Sequence, residues 1–356
     1  MTATFSRSDR ALIGAAVLLV GGAAAARYAD LNSVLAFVLA GVSIGLLASL
    51  VGRSVDQLGD RLGAGATGVL QSALGNLPEL FVCIFALRAG LVKVVEAAVI
   101  GSILGNVLLV LGLAFLVGGL RNGVQRFDSE RARVITAMML LAVVAMLLPS
   151  LAFQLHTPAA AHERALSVFA SVVLLLVFVC SVPSSIRRTA DEATADHDAS
   201  GEGKWPLAVA VAMLAVTGVL AAFVSDWFIH ALEPAITTLH ISQAFAGLVI
   251  VAIAGNAVEN VVGIQLAARN QADYALSVIL NSPLQIALVL APVLVLLSFV
   301  IGGAAFVLVF PPLLVATVVA AVLVVSFIII DGESVWLEGA ALLGLYGVIA
   351  VAFWWG

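Results

Sequence analysis

Nearly the whole chain consists of apolar runs separated by short polar connections. A helix needs about 20 such residues to cross about 30 Å of hydrocarbon, and the runs have roughly this length. Because 63% of the 356 residues are hydrophobic and only 10% are charged, no water-soluble fold could cover itself with polar side chains. A membrane barrel would need short alternating strands, which the sequence lacks. We therefore expect an all-α integral membrane protein.

The apolar runs predict eleven transmembrane helices. Their expected bounds are 11–27, 33–51, 66–88, 93–119, 133–153, 164–182, 206–225, 243–268, 273–299, 303–329 and 336–354. Residues 53–65 combine charged and apolar side chains in a way that is typical of a short helix on the membrane surface. Trp205 and Trp227 flank the seventh span, and Trp336 and Trp354-Trp355 flank the eleventh. We expect these tryptophans at the level of the lipid headgroups.

A five-residue motif occurs twice, each time inside an apolar run. The first motif is Gly75-Asn76-Leu77-Pro78-Glu79, and the second, 180 positions later, is Gly255-Asn256-Ala257-Val258-Glu259. The same offset continues into the next helix, where Asn281-Ser282-Pro283-Leu284 falls on Gly101-Ser102-Ile103-Leu104. The constant register predicts an internal duplication.

The predicted helices divide into one extra helix and two halves of five spans each. An odd number of spans inverts the second half in the membrane, an arrangement characteristic of secondary transporters with a site near the bilayer midplane. We therefore predict an N-terminal extra helix in residues 1–32, a first repeat in 33–186, an acidic cytoplasmic linker in 187–204 and an inverted second repeat in 205–356.

The basic residues predict the orientation. Twelve of the sixteen Lys and Arg residues fall at the N-terminus or in loops on the same side of the membrane. By the positive-inside rule the N-terminus is cytoplasmic and the C-terminus lies outside, in a multi-pass protein of the plasma (cell inner) membrane. Lipid and transported cations are the expected partners, without nucleic acid, and the oligomeric state is left open.

Glu79 and Glu259 put carboxylates into hydrocarbon. An ionisable group at such depth is costly and marks a site that handles an ion or a proton. Pro78 cannot donate a hydrogen bond to the carbonyl of Leu74, so we expect the helix to break near Asn76. The second motif has no proline, and its break should be milder.

The polar residues around the motifs suit a hard cation such as Ca²⁺, which takes six to eight oxygen ligands. No His or Cys falls in either motif, so a softer metal is less well served. The predicted cation ligands are Glu79, Glu259, Asn76, Asn256, Ser102, Ser282, Asn106 and Gln285. Two facing carboxylates cannot both stay ionised and empty, whereas one Ca²⁺, two Na⁺ or two H⁺ neutralise them. Glu79 and Glu259 are therefore also the predicted proton-binding residues. If only the neutralised site can reorient across the membrane, binding of either Ca²⁺ or protons makes the exchange obligatory.

These motifs resemble those of the calcium/cation antiporter superfamily, specifically its calcium/proton exchanger family. That family has Gly-Asn-Ala-x-Glu in each repeat, followed by Gly-Ser-x-Leu-x-Asn and Gly-Ser-Ser-Leu-Gln. The matching stretches are the two motifs, Gly101-Ser102-Ile103-Leu104-Gly105-Asn106, and Ser282 with Leu284-Gln285. The resemblance implies an eleven-helix exchanger whose two glutamates bind Ca²⁺ and protons in turn. The chain departs from the family at Asn260, where His is usual, at Pro78, and at Asn281 and Pro283.

Other activities stay open at this point. Pro78 and Asn260 leave room for a Na⁺-coupled calcium/cation exchanger or a Na⁺/H⁺ antiporter on the same fold. A carboxylate ring can also select cations in a passive channel. An intramembrane hydrolase using the two acids is disfavoured, since it would need an activated water and commonly a zinc motif such as His-Glu-x-x-His, which the chain lacks. We therefore expect neither an enzyme nor a bound cofactor.

Overall fold

The computed structural model of the chain describes residues 5–29, 31–62, 74–195 and 205–355, without the side chains of residues 59–62, 182–195, 258 and 259. The described helices are α1 (Arg7–Tyr28), α2 (Ser33–Leu62), α3 (Leu77–Arg88), α4 (Val92–Asn122), α5 (Ser129–Gln154), α6 (Glu163–Ala195), α7 (Leu207–Leu239), α8 (Gln243–Gly255), α9 (Ala257–Ala268), α10 (Ala272–Ser298), α11 (Pro312–Ile328) and α12 (Trp336–Trp354). Two short strands, β1 (Gln125–Arg126) and β2 (Glu333–Ser334), pair antiparallel.

The helices confirm the predicted all-α membrane fold. Within the described part of the chain, eight helices are long and apolar enough to cross a membrane, and α8 with α9 forms a bent ninth candidate. The protein is therefore a multi-pass membrane protein. The count of eleven spans stays a prediction, because residues 66–73 of the expected third span lie outside the described residues.

The chain divides into two compact units. One contains Met1–Phe85 and Leu176–Leu239, and the other contains Ala86–Leu175 and His240–Gly356. Each unit draws on both predicted repeats, so the units do not follow the repeat boundaries, which stay predictions. We describe each unit by itself.

In the first unit, α2 packs against both α1 and α7. Phe37 of α2 stacks on Phe228 of α7, with ring centroids 4.7 Å apart. The same Phe228 ring lies against Gly41, where a Cβ atom would be 3.3 Å from it. Aromatic stacking over a small residue thus holds these two long helices together.

Helix α2 extends further than predicted, to Leu62 instead of residue 51. Residues 53–62 continue α2 without a break, so the separate surface helix predicted for 53–65 is wrong over that range, and 63–65 lie outside the described residues. Arg53 lies in this continuation, and its guanidinium donates to the Asp9 carboxylate over 2.5 Å and to the Ser8 hydroxyl over 2.8 Å. These bonds tie the last turns of α2 to the start of α1.

Trp205 belongs to the same cluster and is not a headgroup anchor, so that prediction is wrong. Its side chain is 1% exposed, and its Nε1–H donates to Asp9 Oδ2 over 3.2 Å. Its backbone N–H donates to Gln57 Oε1 over 2.7 Å, and its ring packs edge-on against Phe5. The indole N–H of Trp205 has a hydrogen-bond partner and its ring has an apolar neighbour inside the protein. This side chain therefore does not need the membrane interface to satisfy both ends.

In the second unit, α4 is the central helix. Of its most apolar 18 residues, 83% are buried, compared with 67% in α10 and 28% in α12. It contacts α8, α9, α10 and α12. The close contact with α8 depends on two glycines, since a Cβ on Gly101 would be 2.3 Å from the Leu248 carbonyl oxygen and one on Gly247 would be 2.3 Å from that of Val94. Small residues of this kind let membrane helices approach backbone to backbone.

The predicted tenth span begins later than expected. Helix α11 starts at Pro312, and residues 302–311 form no helix because Gly302 and Gly303 have positive φ and Pro311 caps α11. Phe306, Leu308 and Phe310 of this segment are nevertheless buried. Nonhelical backbone inside a membrane protein needs other hydrogen-bond partners.

Serine hydroxyls supply these partners. Ser150 Oγ accepts from the Phe310 N–H and donates to the Leu308 carbonyl, both over 2.9 Å. Ser167 Oγ accepts from the Leu308 N–H over 3.0 Å, and Ser298 Oγ accepts from the Phe306 N–H over the same distance. The extended segment is thereby bonded to three helices.

Helix bounds repeat with the offset seen in the sequence. Helix α3 covers 77–88 and α9 covers 257–268, while α4 starts at Val92 and α10 at Ala272. Both α4 and α10 then contain a π-helical stretch, Gly105–Val110 in the first and Ile286–Leu290 in the second. The agreement supports the predicted duplication, and the inversion of the second half stays a prediction.

Candidate cation site

The second motif lies at a break between two helices of the second unit. Helix α8 ends at Gly255, Asn256 leaves the helical conformation with φ −103° and ψ 24°, and α9 begins at Ala257. The directions of Gln243–Gly255 and Asn260–Ala268 differ by 63°. The sequence predicts that this break, if present, is milder than the first because proline is absent; a break is present, and the comparison stays a prediction because residues 63–73 before the first break lie outside the described residues. The Asn256 side chain helps to stabilise the bend by donating from Nδ2 to the Ala252 carbonyl over 2.9 Å.

Three predicted ligands meet at this break. Asn106 Nδ2 donates to Asn256 Oδ1 and to Ser282 Oγ, in each case over 3.2 Å. The Ser282 hydroxyl in turn donates to Asn256 Oδ1 over 3.2 Å. All three residues are almost fully buried, with 0%, 2% and 4% exposure for Asn106, Asn256 and Ser282. The structure thus joins the middle of α4, the break after α8 and the centre of α10.

The local fold of α4 places Asn106 at this point. The Gly101 contact brings α4 against α8, and the π-helical stretch Gly105–Val110 follows immediately. A π-helical stretch changes the direction of the side chains after it, and such stretches are frequent at functional sites. Asn106 Nδ2 also donates to the Ser102 carbonyl over 2.9 Å, which holds its amide in one orientation. Ser102 itself is fully buried one turn earlier.

The first motif lies in the first unit. Gly75 and Asn76 form a turn, and α3 begins at Leu77, which confirms the predicted break near Asn76. Pro78 is the second residue of α3, where its missing N–H costs no helical hydrogen bond. Glu79 follows in the first turn with its side chain 0% exposed. A carboxylate at this position benefits from the positive end of the helix dipole.

The remaining predicted residues are placed less completely. Gln285 is half-buried on α10, three residues after Ser282. The backbone of Glu259 belongs to α9, and its side chain lies outside the described residues. No group of three His, Cys, Asp or Glu side chains within the described part of the chain could hold a metal ion. Among the described side chains, the oxygens that meet at the break belong to the Asn106 and Asn256 amides and the Ser282 hydroxyl.

Asn260 belongs to the same surroundings, although the motif pattern does not place it among the predicted ligands. With Ser102, Asn106 and Asn256 it lines a narrow cleft between α4 and the α8–α9 break. The sequence signal is the spacing, because Asn256 and Asn260 are four residues apart and share a helix face. The cleft has no room for a water-sized sphere in this conformation.

Comparison with known proteins assigns the chain to a family. A profile of sodium/calcium exchanger proteins matches residues 32–186 and 209–355. The chain belongs to the sodium/calcium exchanger protein family. The matched residues include both motifs, Gly75–Glu79 and Gly255–Glu259, and exclude α1.

Similar proteins of this exchanger family match over most of their length. The Ca(2+)/H(+) antiporter of Aphanothece halophytica is 35% identical over 335 residues, which cover 89% of each chain. The Ca(2+)/H(+) antiporter ChaA of Bacillus subtilis is 33% identical over 325 residues, covering 88% of this chain and 90% of that one. The solved structure of native YfkE is 32% identical, with a TM-score of 0.82 over 96% of this chain and 99% of that one.

Proposed function

We propose that this chain is a secondary active antiporter that exchanges Ca²⁺ for H⁺ across the membrane by alternating access. The observation that carries the proposal is the buried cluster of Asn106, Asn256 and Ser282 at the helix break of the second motif. It lies inside a multi-pass membrane protein whose relatives in Aphanothece halophytica and Bacillus subtilis are named Ca(2+)/H(+) antiporters.

The donor chemistry of the cluster supports a hard cation as the transported ion. Amide and hydroxyl oxygens are ligands that Ca²⁺ accepts together with carboxylates, and they bind soft metals poorly. The proposed ligands comprise the cluster with its neighbours and the two motif glutamates: Glu79, Glu259, Asn76, Asn256, Ser102, Ser282, Asn106 and Gln285.

Charge explains why transport would be an exchange. Glu79 is buried from water, and Glu259 follows its own helix break in α9. An ionised pair without a counter-ion is expensive in such surroundings, so the protein needs either one Ca²⁺ or two protons to neutralise it. If only the neutralised protein changes its accessible side, then each Ca²⁺ that leaves must be replaced by protons. Glu79 and Glu259 are thus the proposed proton-binding residues.

The nearest alternative keeps the fold and changes the coupling ion to Na⁺. Two observations favour it: Pro78 precedes Glu79, and Asn260, which does not titrate, follows Glu259. Two Na⁺ would neutralise the carboxylates as well as two protons do.

Flux measurements separate these possibilities. The protein is reconstituted into liposomes, and ⁴⁵Ca²⁺ uptake is followed under a pH gradient and, separately, under a Na⁺ gradient. We expect uptake that depends on the pH gradient and collapses with a proton ionophore. Uptake driven by Na⁺ alone would assign the alternative, and Ca²⁺ current without any counter-ion gradient would indicate a channel.

We further propose that the protein acts in the plasma (cell inner) membrane as a transporter without catalytic activity or bound cofactor, with transported cations and lipid as its partners. The N-terminus is cytoplasmic and the C-terminus outside, as the distribution of Lys and Arg indicates. Alkaline phosphatase fused after residue 356 should be active, because that enzyme needs the oxidising exterior to form its disulfides. An inactive phosphatase with a fluorescent cytoplasmic reporter at the same point would reverse the orientation.

A further inference from the structure

Two side-chain oxygens in the cleft of the second unit are buried without a hydrogen-bond partner. They are Asn106 Oδ1 and Asn260 Oδ1, and each exposes less than 1 Å² within the described part of the chain. Both residues line the same cleft. Buried amide oxygens are normally satisfied, so two exceptions in one cleft call for an explanation.

The orientation of the Asn106 amide follows from its neighbours. Its Nδ2 group faces the Ser102 carbonyl and Asn256 Oδ1, both of which are acceptors. Asn256 Oδ1 is identified as an oxygen because the Nδ2 of the same side chain donates to the Ala252 carbonyl. Turning the Asn106 amide around would place its oxygen against two other oxygens. The oxygen of Asn106 is therefore the atom left over for another ligand.

Asn260 lies one turn after Asn256. Its backbone N–H donates to the Asn256 carbonyl over 3.1 Å, which carries the helical bonding across the break into α9. The spacing of four residues puts its side chain on the same face as that of Asn256. One cleft therefore collects oxygen from α4 and from the first turn of α9.

We propose that Asn260 is a further ligand of the transported cation and that its oxygen binds, together with that of Asn106, one dehydrated Ca²⁺. A hard cation is the partner that two neutral amide oxygens share most favourably, since each has lone pairs and neither can donate from that atom. The inference rests on the proposed function for the identity of the ion. Because an amide does not titrate near neutral pH, this pair of oxygens would bind Ca²⁺ without releasing a proton.

Ca²⁺ binding to the purified protein in detergent, without a gradient, tests the assignment. We expect Asn260→Ala to weaken binding of ⁴⁵Ca²⁺ about tenfold or more, which corresponds to about 1.4 kcal/mol. Asn260→Asp keeps an oxygen at the position and should bind at least as tightly as the wild type. Asn281→Ala is the matched control, because Asn281 lies outside the cleft lining and donates to Ser277 on its own helix.

Unfolding is separated from loss of a ligand by the melting temperature of each variant in the absence of Ca²⁺. A folded Asn260→Ala protein that binds Ca²⁺ like the wild type overturns the proposal. The proposal also fails if Asn260→Asp binds as weakly as Asn260→Ala, since an oxygen at this position would then have no effect. Ca²⁺ binding that depends on Asn260 in a protein that fails to exchange protons would overturn the proposed coupling and leave this ligand assignment standing.

Discussion

The side-chain amide of Asn106 donates to the side-chain oxygen of Asn256 over 3.2 Å, although the two residues are 150 positions apart. This bond connects the π-helical stretch of α4 to the turn that separates α8 from α9. Both side chains are essentially inaccessible to water. A hydrogen bond between amides at such a place fixes the orientation of the oxygens that a cation would meet.

Asn106→Ala should remove the hydrogen bond that orients Asn256 Oδ1. The variant leaves Asn256 Oδ1 with one donor fewer, and loss of a buried partner costs about 1–3 kcal/mol, which is about 5- to 150-fold in affinity. We expect the Ca²⁺ concentration for half-maximal uptake into liposomes to rise by that factor. Asn122→Ala serves as the control, since Asn122, at the end of α4, donates to the backbone carbonyls of Ala267 and Ala268 at the end of α9. Equal losses in both variants would contradict a role at the cation site.

Glu79→Gln should abolish exchange. The substitution preserves the size of a fully buried side chain and removes the charge that Ca²⁺ or a proton must neutralise. Uptake of ⁴⁵Ca²⁺ under a pH gradient is expected to fall to the level of empty liposomes while the protein remains monodisperse. Glu130→Gln is the control, because this exposed glutamate of α5 lies in the first turn of its helix as Glu79 does. Wild-type uptake by Glu79→Gln would refute the charge argument.

Hydropathy predicts the membrane fold, Pro78 predicts the break near Asn76, and the repeated motif with its following helix places Asn106, Asn256 and Ser282 among the predicted ligands. These properties depend on the composition and spacing of residues that are close in sequence. The later start of α11 could not be predicted in this way, because it depends on residues far away in sequence. Residues 303–311 are as apolar as a helix, and their extended form depends on Ser150, Ser167 and Ser298, whose hydroxyls bond this segment from other helices.

The burial of Trp205 also depends on residues that are distant in sequence. A tryptophan beside an apolar run is typical of the membrane interface, and nothing near it in sequence indicates a buried position. Its partners Phe5, Asp9 and Gln57 are between 148 and 200 residues away. Asn260 escapes prediction as a ligand for a similar reason, because the unsatisfied state of its oxygen is visible only when the α4 wall of the cleft is known.

Ser150→Ala should destabilise the second unit. One hydroxyl both accepts from Phe310 and donates to Leu308, so the variant leaves two buried backbone groups without this partner. We expect a loss of about 1–3 kcal/mol per unsatisfied group, measured as a lower melting temperature in detergent. Ser171→Ala should have a small effect, since the equally buried Ser171 hydroxyl returns only to Ser167 of its own helix. Similar melting temperatures for the two variants would contradict this account.

Trp205→Phe should weaken the attachment of α7 to the start of α1. The ring contact with Phe5 can persist, while the bond from Nε1 to Asp9 is lost, at a cost of about 1 kcal/mol. Trp205→Ala loses the packing as well and should cost about 3–5 kcal/mol. Melting temperatures rank the two variants against Trp355→Phe, whose exposed side chain should matter little. If Trp205→Ala melted like Trp355→Phe, the contacts of Trp205 with Phe5, Asp9 and Gln57 would contribute nothing to stability.

Gly101→Ala should disrupt the crossing of α4 and α8 that positions Asn106. Its new methyl group would be 2.3 Å from the Leu248 carbonyl oxygen and 2.4 Å from the Leu248 Cα atom, so the backbones of the two helices must separate. Overpacking of this kind costs about 3 kcal/mol, and no side-chain rotation can relieve it. We expect a lower melting temperature and a weaker Ca²⁺ affinity, since Asn106 and Asn256 lie just beyond the contact. Gly344→Ala is the matched control, because nothing lies within 4 Å of a Cβ at this helical position in α12. A Gly101→Ala protein as stable as Gly344→Ala would show that α4 and α8 do not need backbone contact here.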